Sequence, residues 1–148
     1  MMTGKLLLLA NFAIALFMTG VIWYVQVAHY PLFANVGQAA FREYHDQHNN
    51  ATTFVVALPM VIELGLSFLL LLNHPNTFSA WLALLALALT LIIWACTFFV
   101  SVPLHNQLSV GGFDVNVIMR LVNTNWIRTL AWTARAVILG VGLVQVLA

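Results

Sequence analysis

Four apolar runs, each long enough to cross a bilayer as a helix, constrain this chain more than any other feature. A spanning helix needs about 20 predominantly apolar residues. Leu6–Ala28, Thr52–Leu72, Ser79–Val102 and Asn125–Leu147 each supply such a run. Hydrophobic residues make up 63% of the 148 and charged residues only 6%, whereas a soluble domain carries about 25% charge. That balance argues against a water-soluble fold. The net charge of +1 gives no electrostatic footing for nucleic acid. The predicted fold is all-α: one domain over residues 1–148, an integral membrane four-helix bundle running up, down, up, down through the lipid bilayer.

The breaks between runs are polar or carry helix breakers. His29-Tyr30-Pro31 is expected to end the first helix, because proline disfavours helix in the residue before it. Asn73-His74-Pro75-Asn76 reads as a tight turn. Pro103, His105-Asn106 and Gly111-Gly112 are expected to close the third helix. Short interfacial helices are expected in the loops after helices one and three, over Gly37–His48 and Phe113–Val122. The first apolar run continues to about Val27, longer than the roughly 7–15 residues of a signal-peptide core, so it is read as a retained helix. The single cysteine, Cys96, lies in an apolar run and reads as a small buried side chain.

This topology puts His29, His45, His48 and His105 at one membrane face and leaves His74 at the other. Each helix also carries one polar stripe. At 100° per residue, Asn11, Thr19, Gln26 and His29 share an arc of about 80° on the first helix. His45, His48, Thr52, Pro59 and Glu63 share about 60° on the second, if it begins early. Thr90, Trp94, Thr97, Ser101 and His105 share about 80° on the third. Asn125, Arg128, Trp132 and Arg135 do so on the fourth. Lipid offers such groups no partners, so the stripes should face inward. They would line a polar funnel that opens where the histidines are. Glu63 lies about 22 Å along its helix from His48, and Arg135 about 15 Å along its own from Asn125. Glu63 and Arg135 are therefore expected to pair near the midplane.

The four histidines His29, His45, His48 and His105 are the candidate metal ligands, for iron, copper or zinc. Neutral imidazole is the commonest ligand for these ions, and His45 and His48, at i and i+3, can share one helical face. Glu43, Tyr44 and Asp46 are candidates to orient them. The plain alternative is interfacial histidines bonded to water, headgroups or helix ends. Haem held between two of the histidines is a further alternative. Glu63, Arg128 and Arg135 are the candidate catalytic residues: an intramembrane carboxylate to carry a proton, and arginines to steady negative charge. A structural ion pair is their plain reading. Trp94, Trp132 and Asn125 are candidates to line a cofactor or substrate pocket, against a plain role in packing and capping. Trp23, Tyr24, Trp81 and Trp126 read as interface anchors.

Several motifs carry a resemblance. They are the HYPLF stretch, Phe41 with Tyr44, His45 and His48, then Pro59-Met60 with Glu63, and the block from Phe99-Val100 through Pro103, His105 and Asn106 to Asn125, Trp126, Arg128, Thr129 and Arg135. With the four-span plan, they resemble a family of small bacterial integral membrane proteins of unknown function. That family is similar in broad plan to the anthrone oxygenase-like proteins. The resemblance implies a bacterial inner-membrane location. It also implies oxidation, by dioxygen, of an activated carbon in a polycyclic phenolic substrate. It brings no catalytic residue set with it.

Two functions follow as expectations. One is a membrane-embedded, metal-dependent oxidoreductase acting on a lipid-soluble aromatic or quinone-like molecule. The other is a non-enzymatic accessory subunit of a larger respiratory or photosynthetic membrane complex, binding lipid, pigment or haem. A homo-oligomer is compatible with both.

Overall fold

The computed structural model describes residues 2–148. Four helices long and apolar enough to cross a membrane account for nearly all of them: α1 (Thr3–Asn35), α2 (Gln38–Leu72), α3 (Ala80–Gly111) and α4 (Val115–Leu147). Each has 32 to 35 residues, about 50 Å at 1.5 Å per residue. The helices therefore outreach the roughly 30 Å hydrocarbon core. The surplus length lies at the histidine-bearing end, as polar continuations of the apolar runs.

That continuity corrects two expectations. The segments 37–48 and 113–122 are not separate interfacial helices: the first forms the opening turns of α2 and the second those of α4, apart from a short approach through Asp114. The prolines do not end α1 or α3 either. Val25–His29 and Thr97–Ser101 are π-helical turns, in which Tyr30 N–H bonds to Val25 O and Val102 N–H to Thr97 O. Proline lacks an N–H, and its ring crowds the carbonyl four residues back. For Pro31 and Pro103 those carbonyls belong to Val27 and Phe99, both inside the widened turns. The extra residue gives the ring room, and the helix continues.

The true ends have local causes. The Ser79 side chain accepts from Trp81 N–H at the start of α3. Asp114 accepts from the N–H groups of Asn116 and Val117 at the start of α4. Gly112, at φ +79°, takes the left-handed backbone that follows α3 and that glycine adopts without steric cost.

Cross-helix hydrogen bonds show how the helices pair. Lys5 reaches Val146 and Gln26 reaches Val122, so α1 and α4 run in opposite directions. Asn11 meets Leu66 while His29 meets His48, so α1 and α2 are antiparallel as well. Ser67 meets Thr90 while Asn49 meets Ser109 across α2 and α3.

The burial pattern is the reverse of a water-soluble bundle. Phe54 is 89% exposed and Phe99 80%, while Asn11, Glu63, Asn125 and Arg135 are fully buried. Apolar side chains face outward, where lipid would meet them, and polar ones face each other. Two apolar clusters flank this interior. Met18, Ile22, Phe33, Phe41 and Leu108 pack at the histidine end, and Leu8, Leu70, Phe78 and Leu139 at the other.

Candidate functional site

The two π-turns place the site. π-Turns in α-helices often mark functional positions, and here they present Gln26 and His29 from α1 and Thr97 and Ser101 from α3 toward the interior. His45 and His48 come from the early turns of α2, and His105 from α3 one turn beyond Ser101. All four expected histidines are brought together, but as two pairs. His29 Nε2 lies 2.6 Å from His48 Nδ1, and His45 Nε2 lies 3.0 Å from His105 Nδ1. The ring centroids of His48 and His105, one from each pair, are 5.6 Å apart. Among the described residues no three His, Cys, Asp or Glu side chains converge as a ready metal cage. A metal with nitrogen bonds of about 2.0–2.1 Å would hold its ligand nitrogens roughly 3.3 Å apart. Each pair is a little tighter than that.

The pairs differ in surroundings. His45 is fully buried and has a partner at both nitrogens, with Ser109 Oγ 3.2 Å from Nδ1. His105 likewise has Tyr30 Oη at 2.9 Å from Nε2. For His29 and His48, the partners are each other and Thr52 Oγ1, 3.0 Å from His48 Nδ1. Thr52, one helical turn beyond His48, also lies at the edge of the cleft described below.

Phe33 stands among the four imidazoles. Its centroid is 5.3 Å from that of His29, 4.9 Å from His48, 5.7 Å from His45 and 6.5 Å from His105. The ring is fully buried and edge-on to each. The expected open funnel is thus filled at its mouth by an aromatic ring, and the polar interior is packed.

The space lies to the side. A cleft of about 870 Å³ runs between α1 and α2. Leu16, Phe17, Val21 and Val55 form its apolar walls, Gly20 and Ala51 leave it room, and His29, His48 and Thr52 stand at its polar end with Tyr44 and Gln47. Of the four histidines, only the His29–His48 pair borders this cleft. His45 and His105 lie behind it.

Deeper in the bundle the polar stripes form two knots. In the first, Arg128 donates to Tyr30 Oη at 3.2 Å and to Asn125 Oδ1, and Asn125 donates to Gln26 Oε1 at 2.9 Å. In the second, Arg135 Nη1 pairs with Glu63 Oε1 at 2.6 Å, and its Nη2 donates to Asn11 Oδ1 and Ser67 Oγ. Trp132 Nε1 donates to Glu63 Oε2 at 2.9 Å. The expected pairing of Glu63 with Arg135 is present.

The other candidates sort by these contacts. Glu63, Arg135 and Trp132 are sealed in the second knot and do not border the cleft. Asn125 and Arg128 belong to the first knot. Trp94 packs at a tilt against Phe98, ring centroids 5.2 Å apart, and among the described residues its buried Nε1 has no hydrogen-bond partner. None of Trp94, Trp132 and Asn125 lines the cleft. Glu43 accepts from its neighbour Gln47 on the exposed side of α2, while Tyr44 borders the cleft.

Tyr30 and Phe33, read in the sequence as part of the HYPLF stretch, were not among the candidate site residues. The signal was present: Tyr30 lies four residues after Gln26, on the same helical face.

No protein family, curated protein or solved structure matches the chain.

Proposed function

We propose that this protein is a membrane-embedded oxidoreductase of the bacterial inner membrane that acts on a lipid-soluble aromatic or quinone-like substrate. One observation carries the reading: a roomy apolar cleft between two membrane-length helices ends on an imidazole pair. A ring compound dissolved in lipid could enter sideways, lay its apolar body along Leu16, Phe17, Val21 and Val55, and present a ring oxygen to His29 or His48. An imidazole nitrogen that carries no hydrogen can take that proton. The reaction class is oxidation of an activated ring carbon or ring hydroxyl, with dioxygen as electron acceptor. This is the class implied by the resemblance to anthrone oxygenase-like proteins.

A transition metal belongs to the same proposal. His29 and His48 would be its ligands nearest the cleft. His45 or His105 would join only by giving up a present partner: Ser109, Tyr30 or each other. The metal would supply a Lewis acid or a one-electron centre.

The test is metal analysis and an absorption spectrum of gently solubilised protein, beside titration with a hydroxyquinone analogue, on the wild type and on His29→Ala and His48→Ala. Expected are analogue binding at one site per chain, weakened at least tenfold in both variants, and bound metal lost in both. Metal-free, colourless, folded protein that still binds the analogue would remove the metal and keep the cleft. Folded protein that binds neither would overturn the reading.

A further inference from the structure

Arginine only donates hydrogen bonds, and that fact gives a direction to the whole chain of contacts running from Arg128 to Ser109. Arg128 Nη2 donates to Tyr30 Oη. Tyr30 is buried, at 4% exposure, and the acceptor within reach of its own hydroxyl hydrogen is His105 Nε2, 2.9 Å away. A buried hydroxyl without an acceptor is unfavourable, so the phenol donates there and His105 Nε2 carries no hydrogen. The hydrogen of His105 is then on Nδ1, which donates to His45 Nε2 at 3.0 Å. By the same step His45 carries its hydrogen on Nδ1, and this donates to Ser109 Oγ at 3.2 Å. Asn49 also donates to Ser109 Oγ, at 3.3 Å, which fills that oxygen as an acceptor. The opposing contact, Asn49 Nδ2 to His45 Nδ1, is longer at 3.5 Å.

We infer that Arg128, acting through Tyr30, is a positioning residue that locks His105 and His45 in the tautomer with hydrogen on Nδ1. The lock does not extend to the cleft. His48 Nδ1 faces both His29 Nε2 and Thr52 Oγ1, and among the described residues no donor-only group touches either ring, so the hydrogen can sit on either side of the His29–His48 contact. The inner pair is a fixed scaffold. The outer pair, which borders the cleft, has no tautomer fixed in this way. The inference stands on donors and acceptors alone and does not depend on the metal or the substrate.

Nitrogen-15 NMR of histidine-labelled, chelator-treated protein in lipid nanodiscs tests it, with rings assigned by single histidine replacements. In the wild type, His45 and His105 should each show one tautomer, with a protonated Nδ1 and an acceptor Nε2. Tyr30→Phe keeps the ring volume and removes the donor. It should raise the Nε2–H form at His105 at least tenfold, and the change should pass to His45. Arg128→Met, which frees the phenol to turn, should give the same mixture. A wild-type His105 protonated on Nε2 would overturn the inference, as would tautomers unchanged in folded Tyr30→Phe. If neither variant folds, the wild-type tautomers decide alone.

Discussion

Arg135 Nη1 lies 2.6 Å from Glu63 Oε1 with both side chains fully buried, midway along the apolar stretches of α2 and α4. Water is absent at that depth of a bilayer, and each charge relies on the other and on Trp132, Asn11 and Ser67. Removing one partner of a buried pair strands the other charge, at a cost of about 3–5 kcal/mol. Arg135→Met should therefore lower thermal stability in detergent sharply. The double variant Glu63→Leu, Arg135→Met should recover most of the loss, because no charge is then left unpaired. Stability of the double variant as low as that of the single one would show that the knot's neutral bonds, not the pair, hold the helices in register.

This relationship was legible in the sequence, and the reason is geometric. A continuous helix advances a fixed distance per residue, so the offsets of Glu63 and Arg135 within their apolar runs placed them at one depth. Polar residues in lipid must face inward, so the stripes placed them on one axis. The helix ends were not legible in the same way. Pro31 and Pro103 break an ordinary α-helix, but one extra residue in the preceding turn accommodates them, and single-residue bulges leave no clear periodic mark. The cleft was hidden for another reason. It depends on how the surfaces of α1 and α2 fail to fill the space at Gly20 and Ala51, which is a property of two packed helices and of neither alone.

Gly20 offers a way to close that cleft without harming the fold. It borders the cleft, and a Cβ built there meets nothing within 4 Å among the described residues. Leucine is favoured over glycine in a helix by roughly 0.5–1 kcal/mol. Gly20→Leu should hold or raise the melting temperature while reducing affinity for a hydroxyquinone analogue at least tenfold. Unchanged affinity, measured by titration in the same detergent, would place the ligand elsewhere.

Gly4, at the far end of the bundle, and Gly65, within α2, make an opposite pair. A Cβ at Gly4 would lie 2.7 Å from Asn73 O and 3.0 Å from Pro75 N, both backbone atoms that cannot swing aside. At Gly65 the added carbon meets nothing within 4 Å. Gly4→Ala should destabilise by about 1–3 kcal/mol, the usual range for overpacking. Gly65→Ala should be neutral or stabilising by up to about 1 kcal/mol. Equal melting temperatures for the two variants would mean that α1 and the Asn73–Pro75 turn do not sit as closely as described.

The two histidine pairs should separate stability from binding. His45 is fully buried, both of its nitrogens are engaged, and its ring stacks on Phe41 at 5.6 Å. His45→Ala opens a void and leaves His105 Nδ1 without an acceptor, so a loss of about 2–4 kcal/mol is expected from the cavity and the stranded donor together. His29 is only half-buried and stands at the edge of the cleft. Its replacement by alanine removes one contact to His48 while Thr52 still serves the same nitrogen, so stability should fall by less than about 1 kcal/mol. Ligand binding should show the reverse order: weakened at least tenfold in His29→Ala, and largely kept in His45→Ala wherever that protein remains folded. Measuring melting temperature and analogue affinity on both variants gives two orderings. If His45→Ala abolishes binding while His29→Ala spares it, the inner pair is the reactive one and the cleft is not its approach.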